Sequence, residues 1–333
     1  MRRNDDKPAG NRAAPRVCIG MPVLNAEMTI ALALNDLIAQ TFRDLEILVF
    51  DNASQDRTVE IATEFARRDA RVRVIGFDQR VDILESFKRA LQNSRGEYFM
   101  FAPADDRWYP RFVEQAVALL DARPEVAACC CRIAYVSDRR FRYISTGTRP
   151  LTGSHRHRLR SYFADPAENG RAFGVYRRAA MMGKFPGVWF PGWDFVLVAR
   201  TLAHGNHAEL PVVLMERDLT PLKNYIAEFD RYYAGRWPRW LPLLPVARAM
   251  FRRPAAPFDL GLFWNLLVFV LRSHVTYAVH RARRWGPFVK RFDEFVRLDR
   301  WPVNAPLRAA AQQPNATTDG ESPSAPRSSR ISA

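Results

Sequence analysis

Two adjacent carboxylates, Asp105 and Asp106, follow the apolar run Tyr98-Phe99-Met100-Phe101-Ala102. Like charges side by side repel, so such a pair calls for a counter-charge. A hard divalent cation takes oxygen ligands and can hold the oxygens of a phosphate at the same time. The rival reading is a turn or helix cap, for which Asp is a common residue. What favours a site is a second acidic turn, Asp51-Asn52-Ala53-Ser54-Gln55-Asp56, which follows another apolar run, Leu45-Glu46-Ile47-Leu48-Val49-Phe50.

The elements that must position these turns are readable from periodicity. Arg16-Val17-Cys18-Ile19-Gly20-Met21 reads as a buried strand ended by Pro22, and Ile30, Leu34, Leu37 and Ile38 recur at helical spacing. The second strand runs into the Asp51 turn, with Ser54 or Asp56 as N-cap of a helix through Glu60, Ile61 and Phe65. A third strand at Val72-Arg73-Val74-Ile75-Gly76 precedes a helix carrying Leu84, Phe87 and Leu91. The fourth strand, 98–102, precedes a helix carrying Phe112, Ala116, Leu119 and Leu120. Strand–helix alternation of this kind predicts a Rossmann-like, mostly parallel sheet with helices on both faces. Ligands of such sheets bind outside the carboxyl ends of the strands, which puts Asp51 and Asp105-Asp106 on one rim.

The turn after the first strand, Pro22-Val23-Leu24-Asn25-Ala26-Glu27, lacks the Gly-x-Gly-x-x-Gly of dinucleotide folds, and the chain has no Gly-Lys-Ser/Thr phosphate loop. Carboxylates at strand ends without a glycine cradle suggest phosphate held through a metal. A sugar nucleotidyltransferase would be expected to carry a glycine-rich loop here, and none is present.

The chain has 333 residues, a formal charge of +15 and 48% apolar residues, enough for a folded core. The excess charge implies an anionic partner. No nucleic-acid motif accompanies it, so a phosphorylated substrate or acidic lipid is expected rather than nucleic acid. Cys18 and the consecutive Cys129-Cys130-Cys131 predict free, buried thiols in a reducing compartment, since neighbours on a strand face opposite ways. His155-Arg156-His157 reads as a loop and Arg177-Arg178 as a solvated pair. Residues 1–14 are polar without an apolar core, and 309–333 are rich in Ser, Pro, Thr and Asn; both are expected to be disordered. Between them, 226–308 reads as a helical extension mixing Arg with Tyr232, Tyr233, Trp237, Trp240, Phe263 and Trp264. The longest apolar run, 260–271, is short for a membrane span. Arg beside Trp suits a helix lying in a membrane interface, or one packing its aromatic residues on the main domain.

Taken together, these segments resemble family 2 glycosyltransferases, which have the GT-A fold. The carrying residues are the Pro22-to-Glu27 turn, Asp51-to-Thr58, Arg95-Gly96-Glu97-Tyr98-Phe99 and Ala104-Asp105-Asp106. Val175-Tyr176-Arg177-Arg178, Gly183-Lys184-Phe185 and Gly192-Trp193-Asp194-Phe195 follow. The resemblance covers about residues 15–225 and departs at Pro103, often Asp in the family, and at Trp193, often Glu. The Gln-x-x-Arg-Trp motif and membrane spans of processive members are absent, which implies addition of one or a few sugars.

The resemblance implies an enzyme that moves a sugar from a UDP-, GDP- or dTDP-sugar to an acceptor hydroxyl, with inversion by single displacement and a Mn2+ or Mg2+ cofactor. The acceptor expected is a saccharide, surface-glycan or lipid-linked. It implies that Asp51 contacts the nucleobase, that Pro22, Val23, Asn25, Glu27, Asn52 and Ser54 line the donor pocket, and that Asp105 and Asp106 face ribose and metal, with Asp106 coordinating directly. Asp194 is the implied general base. Its rival role is an N-cap; Asp51 could bond only its own turn, and Glu27 could be a first-turn carboxylate favoured by the helix dipole. The expected location is cytoplasmic, peripheral on the cytoplasmic membrane face. The competing function is a non-catalytic module that binds a nucleotide-sugar or lipid phosphate.

Overall fold

A computed structural model describes residues 13–137, 140–218, 243–252 and 259–282, with side chains of the last segment described as far as Val275. Strands β1 (Val17–Val23), β2 (Leu45–Asp51), β3 (Val72–Gly76) and β4 (Tyr98–Phe101) are parallel, and α1 (Ile30–Ile38), α2 (Thr58–Arg68) and α3 (Ile83–Gln92) connect them. β2, β3 and β4 lie where the sequence predicts, and β1 starts there but runs further. Alternation explains why both faces are covered. Val17, Ile19 and Met21 join a core with α1 and α2, whereas Cys18, Leu48, Phe50, Phe99 and Phe101 join a second core with α3.

β1 runs through Pro22 rather than stopping before it. The even residues of β1 bond toward β4, as in Ala102 N–H donating to the Gly20 carbonyl, and β4 has ended by Phe101. Pro22 therefore lacks a donor only where no strand remains to accept it.

The chain continues through β5 (Arg107–Trp108), α4 (Phe112–Ala122), β6 (Val126–Ser137), β7 (Arg140–Ile144) and α5 (His155–Ala164). After a 3-10 turn (Gly170–Phe173) come β8 (Val175–Arg177), α6 (Arg178–Met181), α7 (Trp193–Thr201) and β9 (Asn206–Asp218). The sheet order is β3-β2-β1-β4-β8-β6-β9-β5, with β7 beside β6. β8 is antiparallel to both neighbours and β5 to β9, so the sheet is mixed beyond β4. The strand order reverses beside β1, and the crevice outside the ends of β1 and β4 is the expected ligand position.

Two local readings are corrected. His155-Arg156-His157 opens α5, because the Ser154 hydroxyl caps the helix by accepting from His157 N–H at 3.2 Å. Arg177 and Arg178 are not a solvated pair. Arg177 donates to the Val126 and Leu120 carbonyls at 2.9 and 2.6 Å, and Arg178 Nε donates to Ser94 Oγ at 2.9 Å. The four cysteines are free and buried, and burial pushes the Cys130 thiol up to about 11.

Two described helices lie in the extension, Leu244–Arg252 and Leu260–Ala282. Leu243, Val246, Met250, Leu262, Leu266 and Phe269 join the core shared by α5 and α7. Phe269 meets Phe163 of α5 at 5.8 Å and Phe195 of α7 at 4.9 Å. Asp259 caps the second helix through Leu262 N–H at 2.9 Å and binds Arg160 Nε at 2.7 Å. Among the described residues no helix is long and apolar enough to cross a membrane. The Tyr232-to-Trp240 segment, residues 1–12 and the tail from 283 lie outside the described residues.

Candidate active site

The turns after β1 and β2 are laced together by side chains accepting from backbone. Asn25, at φ 51°, donates its N–H to Ser54 Oγ at 2.9 Å and accepts from Gln55 N–H at 2.8 Å. Ala26 N–H donates to Thr58 Oγ1 at 2.7 Å, Glu27 N–H to Asp56 Oδ2 at 3.0 Å, and Arg57 N–H to Glu27 Oε2 at 3.0 Å. Asp56 Oδ1 also accepts from Thr58 N–H at 3.0 Å, so Asp56 secures the start of α2 from just outside Arg57, which occupies the cap position. Asn25, Glu27 and Ser54 thus bind one turn to the other. Asn52 uses both ends of its amide on Val81, accepting from its N–H at 2.8 Å and donating to its carbonyl at 2.9 Å. This draws the segment before α3 over the rim.

A cavity of about 350 Å³ lies there, lined by Pro22, Val23, Asn52, Arg80, Phe87 and Trp189, among others. Ser86 also lines it, with a buried hydroxyl that has no hydrogen-bond partner among the described residues. Asp51 ends β2 opposite Val23 and is buried. Its Oδ2 accepts from Ser54 N–H at 3.1 Å, while Oδ1 is buried without a partner. The turn accounts for one oxygen of Asp51, and the other has no partner among the described residues.

The second half of the site is ionic. Trp108 N–H donates to Asp36 Oδ2 at 3.2 Å and Arg107 pairs with Asp36, so the segment after β4 is held to α1; β5 holds it to β9. Asp105 emerges exposed, with no hydrogen bond or ion pair to another described residue. Asp106 turns inward, 2% exposed, and Arg217 Nε of β9 lies 3.0 Å from its Oδ2. The N–H is not aimed at that oxygen, so the contact is an ion pair rather than a hydrogen bond. Burial raises the Asp106 carboxyl to about 7, against the opposing pull of Arg217. The guanidinium of Arg217 also lies over the Phe173 ring, 4.2 Å from its centroid.

Asp194 sits in the first turn of α7 and is partly buried. The cap position belongs to Gly192 at φ 81°, a left-handed conformation that favours glycine. Asn169 Nδ2 donates to Asp194 Oδ2 at 2.7 Å, and Tyr162 OH donates to Asn169 Oδ1 at 2.6 Å. Burial raises the Asp194 carboxyl above its ordinary value; Asn169, the backbone of the first turn and the field of Arg217 oppose the rise. Arg217 therefore acts electrostatically on both Asp106 and Asp194. Trp193, next to Asp194, stacks on Phe185 at 5.6 Å and meets Phe87 of the cavity wall edge-on at 5.3 Å. One aromatic contact thus separates the cavity from the helix of Asp194.

Pro22, Val23 and Asn52 line the cavity, Asp51 ends β2 opposite Val23, and Asp105 and Asp106 lie at the ionic end. Asn25, Glu27 and Ser54 serve the loops between. Arg217, Asn169, Tyr162 and Ser86 were not legible in the sequence. Arg217 lies near the end of a late strand, Asn169 and the Tyr162 that holds it lie far along the chain from Asp194, and Ser86 is one serine within a helix face.

Among the described residues no group of three or more His, Cys, Asp or Glu converges on a metal position. The oxygen donor open to a cation is Asp105, since Asp106 already has Arg217 as its counter-charge. One carboxylate completed by substrate phosphates is an ordinary arrangement for Mg2+, so the residues fit a cation arriving with a diphosphate better than a resident one.

Residues 18–183 match the model of glycosyl transferase family 2. The putative glycosyltransferase EpsE of Bacillus subtilis is 28% identical over 110 residues, which are 33% of this chain and 40% of EpsE. The Escherichia coli UDP-Glc:alpha-D-GlcNAc-diphosphoundecaprenol beta-1,3-glucosyltransferase WfgD is 29% identical over 104 residues, 31% of this chain and 40% of WfgD. The chain therefore spans less than half the length of either relative. The mannosyltransferase PcManGT of Pyrobaculum calidifontis, solved with GDP-Man and Mn2+, superposes with a TM-score of 0.55 at 20% identity, covering 90% of this chain and 80% of that one. That likeness extends the GT-A fold beyond the matched segment, and by the match of its N-terminal half the chain belongs to the family 2 glycosyltransferases.

Proposed function

We propose that the protein transfers a sugar from a nucleoside-diphosphate sugar to an acceptor hydroxyl, inverting the anomeric centre by single displacement. The observation that carries this reading is Asp194. It is a partly buried carboxylate, raised above its ordinary pKa, oriented by Asn169 at 2.7 Å, and next to Trp193, whose ring meets Phe87 of the wall of a ligand-sized cavity.

Each part has a physical task. The cavity accepts the nucleobase and ribose, with Ser86 Oγ as a buried polar atom of its lining seeking a partner and Asp51 Oδ1 as another at the end of β2. Asp105 faces the diphosphate. A Mn2+ or Mg2+ bound there through Asp105, with Asp106 behind it, would supply Lewis-acid compensation of the leaving group's charge. Direct coordination by Asp106 would require its pair with Arg217 to open. Asp194 takes the proton of the acceptor hydroxyl during attack, a task suited to a carboxylate whose affinity for protons has been raised. The bond from the anomeric carbon to the diphosphate oxygen breaks as the bond to the acceptor oxygen forms, and the electron pair leaves with the diphosphate.

PcManGT is described with GDP-Man and Mn2+, and WfgD as acting with UDP-Glc on a diphosphoundecaprenol-linked saccharide. These relatives support a UDP- or GDP-sugar donor and a lipid-linked saccharide acceptor. An acceptor of that kind places the proposed reaction in cell-envelope glycan synthesis, with the enzyme peripheral on the cytoplasmic membrane face. The test is a panel of nucleotide-sugars with Mn2+, scored by nucleoside diphosphate release in the presence of saccharide acceptors. Release by the wild type and its loss in Asp194→Asn, with donor binding retained, is the expected result. Donor binding without release under any condition would favour the non-catalytic module.

A further inference from the structure

The Leu260–Ala282 helix has two apolar faces. Leu262, Leu266, Phe269 and Val270 are buried on the protein. Leu260, Phe263, Trp264, Leu267, Leu271 and Val275 are exposed, at 75% for Leu260 and 61% for Trp264. Their spacing of three and four residues sets them on one arc of about 120° at 100° per residue. Phe251 of the Leu244–Arg252 helix, itself exposed, extends this face, its ring 6.0 Å from Phe263.

Single exposed apolar residues are ordinary, but a continuous stripe with a Trp and a Phe marks an interaction surface. The charge of the sequence on either side of this face points to the partner. From Arg231 to Phe292 the sequence has one acidic residue, Asp259, and that carboxylate is already paired with Arg160. Arg252 and Arg253 precede the helix, Arg272 lies within it, and Arg281, Arg283 and Arg284 close or follow it. A protein partner's groove would supply apolar contact without needing such a one-sided charge. An anionic lipid surface supplies both, with acyl chains for the stripe and a field of the sign that a cationic segment seeks. The helix is not apolar enough to cross a bilayer.

We propose that this outer face docks on the surface of an anionic bilayer. The inner face carries the consequence inward. Phe269 contacts Phe195, the neighbour of Asp194, at 4.9 Å, so the docked helix is continuous in packing with the helix bearing the proposed base. This deepens the lipid-linked part of the proposed function and rests on that reading.

The test is co-flotation of the full chain with vesicles of phosphatidylglycerol and phosphatidylcholine in equal parts, or of phosphatidylcholine alone, for wild type and for Trp264→Glu/Leu267→Glu. Both positions are exposed, so the melting temperature is expected to hold. Wild type should float with the anionic vesicles and not the neutral ones. The double variant should bind about ten-fold or more weakly, the loss expected when large apolar side chains no longer enter the interface. Equal flotation of both proteins would overturn the proposal, as would a wild type that ignores anionic vesicles or forms a dimer that the variant abolishes. Transfer to a soluble acceptor, measured in parallel, separates the two claims: retained transfer without flotation removes only the docking, whereas flotation without transfer removes only the enzymatic reading.

Discussion

At the scale of single residues, the account rests on carboxylates whose environments pull them apart. Asp105 is exposed, Asp106 is buried beside Arg217, and Asp194 is raised but hydrogen-bonded. Asp106 has a folded pKa of about 7, above its unfolded value, so the folded state binds the proton more tightly. Its contribution to stability therefore falls as pH rises between the ordinary carboxylate range and about 7. Arg217→Met would leave that carboxylate buried alone. We expect a loss of about 3–5 kcal/mol above neutral pH. The loss should shrink below it, where Asp106 becomes neutral; urea unfolding at both pH values measures the difference. A cost independent of pH would contradict the ion pair. Asn169 predicts a different signature. Its hydrogen bond favours the charged Asp194, so Asn169→Ala should move the acid limb of the kcat/KM profile to higher pH and lower kcat. A profile that keeps its limb while only thermal stability falls would reduce Asn169 to a structural residue.

At the scale of elements, the lacing between the turns after β1 and β2 converts strand ends into a pocket. Asn52 shows the logic, since its amide satisfies both backbone groups of Val81. Asn52→Ala should cost about 1–3 kcal/mol for the unsatisfied groups left behind. It should also raise the donor KM more than it lowers kcat, because the segment at Val81 frames the cavity; steady-state kinetics with the identified donor checks the split. This half of the molecule was legible in the sequence. Short apolar runs buried on both faces, helices with Leu and Ile at three- and four-residue spacing, and acidic turns at strand ends all act locally. The later strands were not legible, because β6, β8 and β9 depend on pairing between distant segments and Cys129-Cys130-Cys131 is buried on both faces alike. Arg217 escaped for the same reason, as only the pairing of β9 with β5 brings it to Asp106. Asn169 reaches Asp194 through a left-handed backbone at φ 52° that no local pattern announces.

At the scale of the whole molecule, two helices from the basic extension complete the core around α5 and α7 and leave an apolar face outward. A charge of +15 on such a chain is an argument about partners, not about fold. On the proposed reading, a donor site at the rim, a base on α7 and a lipid-facing helix packed against that same element belong to an enzyme working beside the membrane on a saccharide. The central claim is the chemistry at Asp194. It is tested most directly by comparing wild type and Asp194→Asn for donor affinity by calorimetry and for nucleoside diphosphate release with acceptor present. The account predicts unchanged affinity and release slower by about 10²–10⁴-fold, the usual contribution of a general base. Equal release from both proteins would contradict it.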